Sequence, residues 1–161
     1  MTLEIGKKAP KFKLPASTGE MLSLMDLRGK QVVLFFYPKD MTPTCTEQAC
    51  DMRDNYSGFE NHNTVVLGIS TDSVKSHLNF IAKKELPYVL LADEAHKVCE
   101  QYGVWQLKKL YGREYMGIVR STFLIDAKGN LVREWRKVKV KGHAAEVLEA
   151  AKTLNARAKR K

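Results

Sequence analysis

Hydrophobic and polar positions follow two periods along this chain, and the change from one to the other marks a strand that leads into a helix. Residues 31–37 form a nearly unbroken run of β-branched and aromatic residues, which predicts a central strand buried on both faces. Pro38 ends this run. After Thr44, apolar residues recur every three or four positions, as on the inner face of a helix. That face comprises Ala49, Met52, Tyr56 and Phe59.

The rest of the chain predicts further strands and helices. Two prolines make residues 8–15 an extended entry segment, and residues 21–24 fit a short strand. A side chain among residues 71–73 can cap the helix that follows them. From residue 64 onward the predicted elements are a strand over 64–70, a helix over 74–84, a strand over 88–91, a helix over 93–103, strands over 120–126 and 131–138 joined by a turn over 127–130, and a helix over 144–158.

Residues 104–119 fit neither period. They combine two glycines with three basic and three aromatic residues, which predicts an irregular, partly exposed loop. Within it we expect Trp105, Tyr111 and Tyr115 to cover the core or the edge of a pocket.

The order of these elements predicts an α/β sandwich around one mixed sheet, parallel in its first part and antiparallel at its end. The 161 residues match a single domain over 1–161. The amino terminus has no basic region followed by an apolar stretch, and no apolar run approaches the roughly 18 residues of a membrane span. We therefore expect a cytoplasmic protein with no membrane partner.

The candidate chemistry lies in three cysteines. In a cytoplasmic chain, this number favours redox, catalytic or metal chemistry over a structural disulfide framework. Cys45 falls in the first turn of the predicted helix, where free backbone N–H groups and the helix dipole stabilise an anion. Cys45 is therefore the candidate reactive thiolate, whereas Cys99 follows a helical pattern that predicts a packing or partly exposed thiol.

A motif around Cys45 resembles that of a known family. Pro38, Thr42 and Cys45 spell Pro-x-x-x-Thr-x-x-Cys, which is similar to the active-site motif of peroxiredoxins, and Cys50 is similar to the second cysteine of the bacterioferritin comigratory protein or Q-type subgroup. The further matching segments are residues 66–72, 102–105 and 120–126. The resemblance covers nearly the whole chain and implies a thioredoxin-like sandwich, with a central mixed β-sheet flanked by helices.

The resemblance also implies a function and a role for each site residue. It implies a thiol peroxidase in which hydrogen peroxide or an organic hydroperoxide oxidises Cys45 to a sulfenic acid, and Cys50 resolves it as an intramolecular disulfide. It implies that Thr42 hydrogen-bonds the peroxide, that Pro38 shields the pocket from water, and that Arg120 stabilises the thiolate. It further implies a monomer, recycled by a thioredoxin-like reductant, with no metal, flavin or haem cofactor.

The spacing of Cys45 and Cys50 predicts a conformational change. On a regular helix, Cα atoms five residues apart are separated by roughly 8.6 Å. A disulfide needs less than about 7 Å. We therefore expect residues 42–53 to be helical when the thiols are reduced and partly unfolded when the disulfide forms.

Thr44 departs from the pattern of the subgroup, which often has glycine immediately before the reactive cysteine. A β-branched residue is strained if this position needs a positive φ. If the position is helical or extended, nothing is lost.

The charge of the chain favours one alternative function. The formal net charge is +9, and residues 133–161 carry ten Lys or Arg against three Glu. Residues 136–141 alternate cations with valines, which predicts an edge strand with a charged outer face, and residues 156–161 form a basic tail that we expect to fray. A protein that binds nucleic acid or an anionic surface through this tail is the alternative, although no nucleic-acid motif accompanies the charge, so no specific nucleic-acid partner is expected.

Two other classes fit the sequence poorly. A zinc module would use Cys45, Cys50, Cys99 and His96, whose spacing lacks the paired, closely spaced ligands of zinc sites. A papain-like hydrolase needs a catalytic histidine, and none of the four histidines lies in a segment typical of a base loop.

Overall fold

The computed structural model describes residues 3–159. The strands are β1 (Lys13–Pro15), β2 (Met21–Ser23), β3 (Gln31–Phe36), β4 (Thr64–Ser70), β5 (Val89–Ala92), β6 (Trp105–Leu110), β7 (Arg113–Ile118), β8 (Ser121–Ile125) and β9 (Leu131–Arg136). The helices are α1 (Pro43–Asp54), α2 (Tyr56–Glu60), α3 (Val74–Lys84), α4 (Lys97–Gln101) and α5 (His143–Lys159), with one 3₁₀ turn at Leu24–Leu27. Among these described residues, no helix has both the length and the apolarity needed to cross a membrane.

Five strands form the central sheet in the order β5-β4-β3-β8-β9. The β3–β4 and β4–β5 pairs are parallel, whereas β3–β8 and β8–β9 are antiparallel. The predicted mixed sheet is therefore confirmed. Its register sets Phe35 opposite Thr122 and Phe36 opposite Ser121, so the start of β8 lies beside the end of β3.

Alternate residues of β3 face two separate cores, which explains its uninterrupted apolar sequence. Val32, Leu34 and Phe36 pack into the core beneath β1, β2 and α4. Val33 and Phe35 pack into the core shared with α1, α2, α3 and α5. Helices thus flank both faces, and the predicted thioredoxin-like α/β sandwich is confirmed.

The prediction of an irregular loop over residues 104–119 is wrong. The segment is a two-stranded hairpin, β6–β7, paired from Trp105–Ile118 to Leu110–Arg113. Most of its residues are exposed, so no single buried face imposes a period-2 pattern on the sequence. The turn places Tyr111 and Gly112 at φ 52° and 78°, the conformation of a tight hairpin turn.

The three aromatic residues of this hairpin have different surroundings. Trp105 is partly buried against the first core and stacks on His96. Tyr115 lines a cavity beside Pro38. Tyr111 is 96% exposed at the turn, so the expectation that it covers the core or a pocket is wrong.

Several element ends also differ from the prediction. The helix after Thr44 is interrupted at Asn55, which separates α1 from α2. The edge strand ends at Arg136 because Lys137 has φ 51°, so the predicted continuation over 137–141 is wrong. The carboxy-terminal residues through Lys159 continue helix α5 instead of fraying at 156, and the last two residues of the predicted tail lie outside the described part of the chain.

Candidate active site

Cys45 lies in the first turn of α1, as the sequence predicts. Thr42 is the N-cap residue and Pro43 occupies the first helical position, where its missing N–H costs nothing. The Thr42 carbonyl accepts the first helical hydrogen bond, from Thr46 N–H at 2.8 Å. Thr44 is helical, so the β-branched residue at this position brings no positive-φ strain. The Cys45 side chain is 2% exposed and lies at the positive end of the helix dipole.

Arg120, which immediately precedes β8, contacts the Cys45 sulfur with its guanidinium group. Its Nη2 donates to Cys45 Sγ at 3.3 Å, and its Nη1 donates to Gln48 Oε1 at 2.5 Å. The contact exists because β8 is the antiparallel neighbour of β3, and β3 leads directly into the loop before α1. A cation and a helix start therefore both lie beside the same sulfur atom.

Gln48 is a site residue that the sequence analysis missed. It lies one helical turn after Cys45 and is 1% exposed. Its Oε1 holds the Arg120 guanidinium, while its Nε2 has no hydrogen-bond partner among residues 3–159. The signal for Gln48 was its spacing of three from Cys45, which places both side chains on one face of a helix.

Pro38 and Thr42 lie on the loop between β3 and α1. Thr42 Oγ1 donates its hydrogen to the Lys39 carbonyl at 2.8 Å, which leaves the lone pairs of the hydroxyl as acceptors. Pro38 lines a cavity of about 280 Å³ whose other wall is the β6–β7 hairpin, including Lys108 and Tyr115. The hairpin therefore covers one side of the loop that carries the motif.

Lys108 brings a second cation to this region, which sequence analysis also missed. Its Nζ donates to the Ile118 carbonyl at 2.9 Å. Burial lowers the pKa of Lys108 and the charge of Arg120 lowers it further, whereas the negative charge of Cys45 raises it. Lys108 is therefore close enough to Arg120 and Cys45 for their charges to act on it.

Cys50 is half-buried on α1, and all three cysteines are free thiols. Two contacts tie this part of the helix to the rest of the protein. Tyr88 OH donates to the Ala49 carbonyl at 2.7 Å, and Arg53 Nη1 donates to the Lys84 carbonyl at 2.7 Å. Because α1 is continuous from Pro43 to Asp54, Cys45 and Cys50 keep helical spacing in this state.

Cys99 is separated from this site by the central sheet. It is fully buried in the first core, whereas Cys45 lies in the second. Burial and then Asp93 raise the pKa of Cys99 well above its ordinary value, so this thiol stays protonated. Of the two predicted possibilities, a packing thiol and a partly exposed one, this position fits the packing thiol. Because the sheet lies between Cys45 and Cys99, one zinc ion cannot bind both.

His143 is a buried histidine that packs close to the site. It lies at the start of α5, is 7% exposed, and its Nε2 is 2.8 Å from Thr122 Oγ1. Burial lowers the pKa of His143 from 6.5 to about 4, and Arg120 adds to this effect while Glu146 opposes it.

We expect His143 to destabilise the fold in acid. Between pH 6.5 and about pH 4, His143 is protonated in the unfolded chain but neutral in the folded chain. The free energy of unfolding therefore falls as the pH is lowered through this range. The loss amounts to at most about 3 kcal/mol. Urea unfolding at several pH values measures it, and His143→Gln should remove this part of the dependence. The control is His62→Gln, which changes a half-buried histidine and should keep the dependence; equal pH profiles for the wild type and His143→Gln would contradict the expectation.

Comparison with known proteins places this geometry in a family. The AhpC/TSA family model matches residues 5–134. Peroxiredoxin Bcp of Bacillus subtilis is 53% identical over 155 residues, covering 96% of this chain and 99% of the Bacillus protein.

Two solved structures show the same architecture at good identity. A PrxQ mutant of Xylella fastidiosa, in which a serine replaces a cysteine, superposes with a TM-score of 0.89 at 37% identity, covering 95% of this chain and 98% of that one. Xanthomonas campestris bacterioferritin comigratory protein, solved to explain its alkyl peroxide reduction activity, superposes with a TM-score of 0.85 at 40% identity, covering 89% and 92%. The chain therefore belongs to the AhpC/TSA family and, within it, to the peroxiredoxins of the bacterioferritin comigratory protein or Q type, which are thiol peroxidases.

Proposed function

We propose that this protein reduces hydrogen peroxide and small organic hydroperoxides through Cys45. The observation that carries the proposal is the 3.3 Å contact from Arg120 Nη2 to Cys45 Sγ at the start of α1. The alkyl peroxide reduction activity of the Xanthomonas protein supports the organic substrates.

In the proposed reaction the Cys45 thiolate attacks one peroxide oxygen. The S–O bond forms as the O–O bond breaks, and the other oxygen leaves as hydroxide or alkoxide, which takes a proton from water. Arg120 stabilises the charge that spreads over both oxygens in the transition state. Thr42 accepts a hydrogen bond from the peroxide O–H, since its own hydrogen is donated to the Lys39 carbonyl. Pro38 has no N–H and shields the pocket from water.

We propose that Cys50 then condenses with the Cys45 sulfenic acid. The Cys50 sulfur displaces the hydroxyl group, water leaves, and an intramolecular disulfide forms. A thioredoxin-like dithiol protein reduces this disulfide and closes the cycle. No cofactor takes part in the proposed cycle, and the protein acts as a cytoplasmic monomer.

The contacts of α1 support local unwinding as the step that brings the cysteines together. The helix is weakly capped, because Thr42 Oγ1 donates to a loop carbonyl instead of accepting from the helix. Its outer face carries like charges: burial raises the pKa of Asp51, and the nearby charges of Glu47 and Asp54 raise it further. The Tyr88 and Arg53 hydrogen bonds oppose these effects and must break for the carboxy-terminal part of α1 to unwind.

Hydrogen exchange tests the unwinding. We expect protection of the amides around Cys50 to fall at least about tenfold when the disulfide forms, because the amides of α1 lose their helical partners. The amides of α3 serve as an internal control and should not change. Equal protection of the Cys50 amide in the reduced and oxidised proteins would contradict the proposed resolving step.

A coupled assay tests the whole cycle. Reduced protein is mixed with hydrogen peroxide, a thioredoxin, its reductase and NADPH, and NADPH consumption is followed. We expect turnover from the wild type and from Cys99→Ala, and slow recycling from Cys50→Ser after a first round of oxidation. Equal turnover by Cys50→Ser and the wild type would show that Cys50 is not the resolving cysteine.

A further inference from the structure

A buried polar cluster lies behind the loop that joins β3 to α1. Asp40 is 4% exposed and His77 is fully buried. Two hydroxyl groups donate to the Asp40 carboxylate, Tyr37 OH to Oδ1 at 2.5 Å and Ser76 Oγ to Oδ2 at 2.8 Å. His77 Nδ1 lies 2.7 Å from the same Oδ2. We call these residues, together with Ser70 and Asp72, the Asp40 cluster.

The main chain of Asp40 is anchored as well as its side chain. Asp40 N–H donates to Asp72 Oδ2 at 2.7 Å, and Ser70 Oγ donates to the same oxygen at 2.8 Å. The cluster therefore connects the loop to the ends of β3 and β4 and to α3. Loops are usually less constrained than the elements they join, so this degree of anchoring is unusual for a connecting segment.

The protonation of the cluster follows from its acceptors. His77 Nε2 faces the Leu91 carbonyl at 2.8 Å, which can only accept, so Nε2 carries a hydrogen. Burial raises the pKa of Tyr37 well above its ordinary value and Asp40 raises it further, so this hydroxyl stays a donor.

These hydrogen bonds argue against a metal site. Ligand atoms of Asp40, Asp72 and His77 lie within 4.8 Å of one another, as a metal site would require. However, both carboxylate oxygens of Asp40 already accept hydrogen bonds, and both ring nitrogens of His77 are engaged. The hydrogen bonds of the cluster instead connect the loop to the elements around it.

These hydrogen bonds hold the loop in place beside a strained residue, Met41, which follows Asp40. Met41 has φ 68°, a left-handed conformation that is unfavourable for a residue with a β-carbon. Met41 lies between Asp40 and Thr42, and Thr42 is the N-cap residue of the helix that carries Cys45. The turn at Met41 thus determines where the Thr42 hydroxyl lies relative to the Cys45 sulfur.

We propose that Asp40 is a positioning residue for peroxide binding: through its cluster it fixes the strained turn at Met41 and thereby aligns Thr42 with Cys45 and Arg120. The inference rests on the proposed roles of Thr42 and Cys45. Asp40 does not touch the reacting atoms; its effect reaches them through the loop.

Two rate constants measured on the reduced protein test this role. The first is oxidation of Cys45 by hydrogen peroxide, and the second is alkylation of Cys45 by iodoacetamide, both followed by quenching and peptide mass mapping. Alkylation needs the thiolate but no aligned peroxide. We expect Asp40→Asn to lower the peroxide rate constant about 10- to 100-fold. The alkylation rate constant should stay within about twofold, because the contact of Arg120 and the start of α1 remain.

Asp93→Asn is the matched control. Asp93 is also a buried aspartate that accepts a backbone hydrogen bond, from Cys99 N–H at 2.8 Å, but it is not part of the Asp40 cluster. We expect Asp93→Asn to leave the peroxide rate constant within about twofold of the wild type, since this substitution does not change the loop that positions Thr42 beside Cys45. Ser76→Ala and Tyr37→Phe each remove one donor to Asp40 and should lower the peroxide rate constant less than Asp40→Asn.

Three results would overturn the inference. One is a folded Asp40→Asn protein with an unchanged peroxide rate constant. Another is an equal loss of both rate constants, because that indicates general destabilisation. If Asp40→Asn does not fold, unchanged peroxide rate constants in both Ser76→Ala and Tyr37→Phe decide against it. A wild-type protein whose Cys45 peroxide does not oxidise would instead overturn the proposed function, and this inference with it.

Discussion

Replacing Cys45 by serine lowers peroxide reduction at least about a thousandfold, because a serine hydroxyl is not ionised near neutral pH and cannot replace a thiolate as nucleophile. The loss should be equally large for hydrogen peroxide and for organic hydroperoxides, since we expect the same sulfur to attack each. Peroxide consumption with excess dithiothreitol measures it without dependence on a particular protein reductant.

The matched control is Cys99→Ala. Cys99 is the other fully buried cysteine, on the opposite side of the central sheet, and its thiol stays protonated. Its replacement should preserve peroxide consumption. Retained activity in Cys45→Ser, or loss of activity in a folded Cys99→Ala protein, would show that the reacting sulfur has been assigned to the wrong cysteine.

Replacing Arg120 by methionine should produce the second-largest effect, a fall of about 100- to 1,000-fold in the rate constant for Cys45 oxidation. The substitution removes the donor to Cys45 Sγ and leaves buried Gln48 Oε1 without its partner. Arg120→Lys keeps the charge but loses the two-pronged geometry, so its rate constant should lie between those of the wild type and Arg120→Met. Stopped-flow oxidation of the reduced protein gives these rate constants directly.

Arg136→Met is the control for this substitution. Arg136 also reaches two acceptors at once, the carbonyls of Gly103 and Tyr102, but these lie away from Cys45. It should leave Cys45 oxidation unchanged while costing some stability. If the rate constant for Cys45 oxidation in Arg120→Met lay within about threefold of the wild-type value, the guanidinium would not contribute to the reaction.

Much of the fold could be predicted because each central strand has a strong local signal. The apolar run that became β3 is buried on both faces, so nearly every residue in it is hydrophobic. The helix start at Cys45 follows from Pro38, Pro43 and the change of period after Thr44. The β6–β7 hairpin gave no such signal, since most of its residues are exposed and its pattern is not constrained by a core.

The site itself was only partly predictable. The motif residues Pro38, Thr42 and Cys45 are neighbours in sequence, and the resemblance added Arg120, which the structure places against Cys45. The partners of Asp40 come from separate segments, since His77 is 37 residues away and the contact forms only when α3 packs on the sheet.

Intact mass with peptide mapping, after one equivalent of hydrogen peroxide on the reduced protein, shows directly whether Cys45 and Cys50 form the redox pair. We expect the loss of two hydrogen atoms, mapped to a bridge between Cys45 and Cys50. A stable gain of one oxygen on Cys45, or a bridge to Cys99, would contradict the resolving role of Cys50, and the absence of rapid modification would contradict the peroxidatic role of Cys45.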